Sequence, residues 1–373
     1  MKDVMGIIYT GERDDRLREL TITRAIAALP VAGRFRIIDF LMSSMVNSGM
    51  RNVGVIMQKN YHSLMDHLGS GKEWDLHGKN DGLYILPPFL TRENVGLYSG
   101  MLDALRSNSS YLRRSRQEYV ILTNSHIIYN YKFDDMIAAH IDNGADITML
   151  YTKDPSMQKS EANTYLAVDE EGRVTDMEIE PTNPSNENTF MEVYLMKREL
   201  LRTMVDQGVA HGLHDLTRDV IQRLVADKSM KVCGFEFKDK AWQIDSVQSY
   251  YRFNMDLLKA DTLRSLFSED RPVYTKVRDE MPARYEGKSE VVNSLIADGS
   301  IIEGRVENSI LFRSVRIAPD AVVKNCIIMQ DAEIQSGAQI ENCILDKQAV
   351  IKRNARLIGP AAYPIVVAKN VVI

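Results

Sequence analysis

The sequence predicts two architectures in series: an α/β domain built on parallel strands over residues 1–270 and a parallel β-helix over 291–373, joined by a linker at 271–290. Three observations carry this reading. In the first part, short apolar runs alternate with helical patterns, as βαβ units do. Past residue 290, one aliphatic side chain recurs every five or six residues. Between the two, residues 270–290 are dense in charge, proline and glycine. A chain of 373 residues also exceeds what one core usually supports.

Residues 5–9 open as a strand. Residues 40–49 read as a helix leading to a buried strand at 53–57, and 101–112 as a helix leading to a strand at 119–123. A parallel sheet made this way places its ligand crevice at the carboxyl ends of the strands. A helix at 134–143 and a strand at 147–151 follow. Residues 169–188, rich in Glu, Asn, Pro and Gly, read as turns and exposed edge pieces, and 245–266 as helical.

The β-helix reading rests on Leu311, Ile317, Val323, Ile328, Ile334, Ile340, Leu345, Ile351 and Leu357. A small residue stands two places before each, at Ser309, Ala321, Cys326, Ala332, Ala338, Cys343, Ala349 and Ala355, with Val315 the exception. The spacing suits neither a helix nor an alternating strand, and it matches hexapeptide coils. Each aliphatic side chain points inward and stacks on the coil below, while the small residue fits the corner. A plain β-sandwich is the competing reading.

Composition narrows the function. A net charge of -5 gives no broad electrostatic reason to bind nucleic acid or an anionic membrane. Any phosphate site must be local. Three scattered cysteines, Cys233, Cys326 and Cys343, make neither a disulfide framework nor a metal knuckle, which suggests a reducing compartment. With no secretory peptide and no membrane-spanning apolar run, a cytoplasmic location is expected. His211 and His214 have no third metal ligand at useful spacing, and His126 at a strand end reads as packed or hydrogen-bonded.

The segment RFRIIDFLMSSMVNSGMRNVGVIMQ at 34–58, the run YYRFNMDLL at 250–258 and the hexapeptide coils together resemble the ADP-glucose pyrophosphorylase (glucose-1-phosphate adenylyltransferase) family over nearly the whole chain. The resemblance implies a Rossmann-like, GT-A-like nucleotidyltransferase domain with a mixed sheet, followed by a left-handed β-helix. It also implies chemistry that joins glucose-1-phosphate to ATP and releases pyrophosphate and ADP-glucose, assisted by Mg²⁺ on two aspartates.

At the positions that carry this chemistry the sequence departs from the family. The glycine-rich LAGGxGxRL turn, which lets backbone N–H groups approach a triphosphate, corresponds to IYTGERDDRL at 8–17, with one glycine, Gly11, followed by Glu12, Asp14, Asp15 and Arg16. Carboxylates there repel phosphate. The aspartate of GDHIY becomes Ser125, and that of WxDVGT becomes Ile244; neither supplies the charged oxygen a hard cation prefers. Asp245 comes one residue late and in an extended segment faces the other way, so it substitutes only if a bulge turns it. The lysines of AKP and EKP correspond to Ile26 and Glu180. Losing one preorganised group commonly costs about a hundredfold or more in rate, and several losses leave essentially nothing.

Other positions match. Arg24, Arg36 and Arg316 are similar to the basic cluster that binds sugar-phosphate activators in the family, with surface ion pairs as the bland alternative. Asp215 and Asp219 resemble the DFGKD run of the sugar pocket, although Thr217 replaces its glycine. The expected protein is thus a regulatory and structural subunit in bacterial glycogen synthesis, assembled with a catalytic homologue as a heterotetramer, a homo-oligomer being left open. No cofactor is expected for this chain alone; the Mg²⁺ belongs to the catalytic partner. The competing readings are an active adenylyltransferase holding Mg²⁺ on Asp245 or Asp103, and a stand-alone sugar-phosphate sensor.

Overall fold

The computed structural model describes residues 3–11, 15–79, 81–88 and 98–373. The chain forms two compact units that interleave along the sequence. The first comprises Met1–Glu12, Phe40–Gln243 and Glu269–Tyr274, and the second comprises Arg13–Asp39, Ile244–Ser268 and Thr275–Ile373. A linear reading of the sequence places the segments 13–39 and 244–268 with the α/β part; their contacts place them with the coils.

The first unit is built on a mixed sheet. Its strands are β1 (Val4–Tyr9), β2 (Val53–Ile56), β3 (Leu83–Leu86), β4 (Tyr119–Asn124), β5 (Ile147–Thr152), β6 (Thr164–Val168), β7 (Val174–Ile179), β8 (Thr189–Lys197) and β9 (Val232–Phe237). The order is β7-β6-β8-β4-β1-β2-β3, with β5 pairing both β8 and β9. Strands β3, β2, β1 and β4 run parallel, while β8 is antiparallel to β4 and to β5. All six residues of β1, VMGIIY, are buried, as a central parallel strand covered on both faces requires. Gly6 is part of that covering: a Cβ there would lie 2.4 Å from the Sδ of Met45, in the helix Ile37–Asn47.

Three local expectations change, one of them the helix at 245–266, which divides into Val247–Asp256 and Ala260–Leu266 with Lys259 extended between them. The helix expected at 101–112 divides into Met101–Ser107 and Ser109–Arg114. The side chain of Asn108 at the break donates to Ala104 O at 2.8 Å, a local bond of the kind that competes with helix propagation. Within the turn-rich stretch 169–188, β7 is an edge strand antiparallel to β6, with a register shift between Val174 and Asp176 and with Val174 and Met177 buried. Among the described residues no helix is long and apolar enough to cross a membrane.

In the second unit three parallel sheets of five short strands each form a left-handed β-helix. Arg316 pairs with Glu333 and Glu333 with Val350, so one full turn takes 17 residues, matching two steps of six and one of five in the aliphatic series. Leu311, Ile317, Val323, Ile328, Ile334, Ile340, Leu345 and Ile351 are all buried, with Leu357 partly so at the end. Immediately before each small residue the backbone turns left-handed, at Asn308, Ser314, Asp320, Asn325, Asp331, Gly337, Asn342, Gln348 and Asn354, with φ between +46° and +72°. Asn, Asp and Gly tolerate that region best. The asparagines also stack: Asn325 Nδ2 donates to Asn342 Oδ1 at 3.2 Å, and Asn342 Nδ2 to Gly359 O at 2.9 Å.

The earlier segments are tied to the coils by buried polar contacts. The helix Val247–Asp256 starts at a capping box of Ser246 and Ser249. From it Tyr250 donates to Pro30 O at 2.6 Å and Tyr251 to Asn325 O at 2.8 Å, while Asn254 Oδ1 accepts from the Ala32 amide.

Candidate functional site

Because β1 lies between β2 and β4, the strand order reverses there, and the switch point opens a crevice beyond the carboxyl ends of β1 and β4. The chain leaves β1 through Thr10 and Gly11, with the Thr10 amide and hydroxyl both donating to Ile56 O. A Cβ on Gly11 would lie 2.2 Å from Tyr9 Oη and 2.4 Å from Gln58 Oε1. Side chains of this chain therefore fill the space over the glycine, and Gln58 is fixed in place by donating to Tyr98 O at 2.7 Å. Glu12 and Asp14 lie outside the described residues, as does the Asp15 side chain; Arg16 is exposed.

At the end of β4 stand Asn124, Ser125 and His126. Ser125 is fully buried. The Asn124 amide donates to the carboxylate of Glu192, which lies 3.7 Å from His126 Nδ1. Gln243 meets the other ring nitrogen of His126 at 3.5 Å. Glu192 sits at an irregularity of β8 between Phe190 and Tyr194 with φ +55°, a conformation that penalises any side chain. The buried Asn124 Oδ1 and Gln243 Oε1 have no hydrogen-bond partner. The end of β4 thus holds a carboxylate and two buried, uncompensated carbonyl oxygens, and none of these groups is the N–H donor or cation that a phosphate needs.

The strain at Glu192 yields a direct comparison. Glu192→Ala keeps the left-handed backbone and loses the carboxylate, whereas Glu192→Gly loses the carboxylate and relieves the backbone. The glycine variant is expected to be more stable than the alanine variant by about 1–2 kcal/mol in urea unfolding.

The remaining positions of the first unit form a second group. Glu180, itself at φ +51°, pairs with Arg218 at 2.9 Å. Asp215 caps the following helical turn by accepting from the Arg218 amide at 2.8 Å. Asp219 accepts from the Asp215 and His214 amides, and these two bonds hold its carboxyl below its ordinary value. Thr217 shares a 2.6 Å hydrogen bond with Tyr194.

In the second unit Ile26 is buried in a short helical turn and Ile244 is fully buried. Asp245 precedes the Ser246 cap, its amide donating to Ser249 Oγ. Neither the buried serine at 125 nor the buried aliphatic at 244 offers the charged oxygen that Mg²⁺ prefers. Among the described residues no group of three or more His, Cys, Asp or Glu could hold a metal ion.

Arg24 is buried and forms a 2.8 Å ion pair with the equally buried Asp346, with its second terminal nitrogen against Met329 Sδ. Burial, together with Arg36, Arg24 and Arg278, pushes the half-buried Lys347 ammonium down to about 7, against the opposing pull of Asp346. Arg313, 8% exposed, is lowered by burial and then by Arg34 and Arg278, with Asp298 and Glu280 opposing, and its Nε and Nη2 have no hydrogen-bond partner. The structure thus brings Arg24 and Arg36 together with Arg278 and Lys347. Arg316 stands in a different sheet, exposed, between Ile301 and Glu333 in the ladder. Sequence reading missed Lys347 and Arg313. Taken at the 17-residue turn, Arg313, Gln330 and Lys347 form one column at one corner, and that register could have found them.

A strand-order switch with its crevice, followed by hexapeptide coils, is an arrangement in keeping with the class of nucleotidyl transferases with a β-helical extension. Residues 5–260 match the nucleotidyl transferase family, and residues 280–361 the GlmU-like C-terminal hexapeptide family. The chain is 34% identical over 326 residues to the glycogen biosynthesis protein GlgD of Bacillus subtilis (strain 168), covering 86% of this chain and 82% of that protein. It is 36% identical to the GlgD of Geobacillus stearothermophilus, over 86% and 82% of the two chains. To the glucose-1-phosphate adenylyltransferase of Geobacillus stearothermophilus it is 31% identical over 87% and 84%. The chain belongs to the glucose-1-phosphate adenylyltransferase family, in the branch represented by GlgD.

Proposed function

We propose that this chain is a regulatory and structural subunit of glucose-1-phosphate adenylyltransferase in bacterial glycogen biosynthesis, with little or no catalysis of its own. It works in the cytoplasm in a heterotetramer with a catalytic homologue that holds the Mg²⁺. The observation that carries this reading lies at the end of β4: a fully buried serine, Ser125, stands where the family places a metal-binding aspartate, and its neighbour Asn124 is bonded to the carboxylate of Glu192 rather than left to meet a phosphate. The test is ADP-glucose formation from ATP and glucose-1-phosphate by the purified chain, by the catalytic homologue and by both together. The chain alone is expected to give no turnover, and the mixture is expected to form a larger species by light scattering with altered kinetics. Turnover by the chain alone, abolished in Asp245→Ala, would reverse the assignment. A monomer indifferent to the homologue would point to a free-standing sensor.

The effector site of this subunit is the basic group of Arg36, Arg278 and Lys347, with the buried Arg24–Asp346 pair as its support, and its ligand class is a sugar bisphosphate. The lowered Lys347 supplies a signature. A bound phosphate favours the charged ammonium, so its pKa rises on binding, and between about 7 and the raised value the complex carries more protons than the free protein. Binding of fructose-1,6-bisphosphate is therefore expected to take up protons at pH 8 and to weaken as pH rises above 7. Calorimetry in two buffers of different ionisation enthalpy reads this directly, and Lys347→Met is expected to abolish the uptake.

A further inference from the structure

A second concavity of the first unit lies at the opposite end of the strands from the crevice, where Asp3 precedes β1, Asn52 precedes β2 and Gln117 precedes β4. Its volume of about 620 Å³ is within the range that encloses a small ligand. The floor is a chain of hydrogen bonds. Tyr111 Oη donates to Asn52 Oδ1 at 2.7 Å, Asn52 Nδ2 donates to Gln117 Oε1 at 2.8 Å, and Gln117 Nε2 donates to Asp81 Oδ1 at 3.2 Å. Asn52, Tyr111 and Gln117 are buried, so the floor is fixed before any ligand arrives, and little ordering cost remains. Over it stands Tyr84, an exposed aromatic on the end strand of the sheet, 40% accessible, with its ring 5.0 Å from that of Tyr111.

The charges at the mouth decide the ligand class. Arg114 and Arg116 are exposed there, and Asp3 and Asp81 oppose them in equal number, so an anion gains no net field. A purely apolar ligand would meet a polar, hydrogen-bonded floor. What fits is a neutral molecule with one apolar face and a rim of hydroxyl groups: its C–H face on the Tyr84 ring, its hydroxyls on the planar, two-pronged carboxylate of Asp81 and guanidinium of Arg116. We propose that this cleft is a carbohydrate-binding site for a neutral oligosaccharide, separate from the nucleotide crevice.

The test uses the full chain, with maltohexaose and cellohexaose titrated calorimetrically, and electrophoresis through gels containing soluble glycogen. Saturable binding of one oligosaccharide is expected, weakened at least tenfold in Tyr84→Ala, clearly reduced in Arg116→Ala and largely kept in Tyr84→Phe. Tyr84→Ala loses the ring pair with Tyr111, so melting is measured for each variant, and Arg116→Ala, at an exposed side chain, is expected to melt with the wild type. No binding of either sugar by the wild type overturns the proposal, as does binding that Tyr84→Ala leaves unchanged. Neither result bears on whether the chain makes ADP-glucose, which is read by a different assay.

Discussion

Arg24→Met is expected to lower the unfolding free energy by about 3–5 kcal/mol, measured by urea denaturation of the full chain. Arg24 and Asp346 are 3% and 2% exposed and their nitrogen and oxygen are 2.8 Å apart, so removing the guanidinium leaves a carboxylate with no water to replace it. The Asp346 carboxylate would keep the backbone amide of Lys347 at 2.7 Å, which does not neutralise a charge. The double variant Arg24→Met/Asp346→Leu is expected to recover most of the loss, because the pair's Coulomb attraction mainly offsets its own desolvation. If the single variant unfolds with the wild type, the pair is not buried as described.

The second large effect lies in the coils. Ile334→Ala is expected to cost about 2–5 kcal/mol, and Ile334→Val about 0.5–1.5 kcal/mol. Ile334 is fully buried, stacked between Ile317 and Ile351 in successive turns, and the rigid ladder around it closes only partly on a cavity. Since each coil touches only its neighbours, the damage is local. Hydrogen exchange of Met329 N, which donates to Leu345 O, and of Gln335 N, which donates to Ile351 O, should quicken before that of Ile7 in β1.

The two parts of the chain differ in how far their sequence discloses them. The aliphatic column from Leu311 to Leu357 was legible because a β-helix repeats one environment, and so one residue type, at a fixed interval. The left-handed corner just before each small residue is equally present, as Asn308, Asp320, Asn325, Asp331 and Asn342, but it is a backbone property that side-chain size does not report. In the α/β part, β1, β2, β4 and β5 declared themselves by apolar runs, whereas β7 was hidden among Glu, Asp and Pro because only Val174 and Met177 of its face are buried. For the site, substitutions at Ser125, Ile244 and Glu180 could be read directly against a motif. Glu192 could not, since nothing in FMEVY announces a left-handed glutamate aimed at Asn124. Arg278 was equally silent, and the column register offers Lys347 only as a position, because the meaning of both depends on Arg24 and Arg36, distant in the chain, arriving beside them.

The interleaving of the units constrains how such a chain can be rearranged. Exchanging residues 275–373 with those of a relative, as if they were a detachable cassette, would change the partners of Arg24 and Tyr251, which bind Asp346 and the Asn325 carbonyl in the coils, while leaving those two residues behind. A chimera that works must carry the stretches 13–39 and 244–268 along with the coils, so the heritable module here is three strings of sequence, not one.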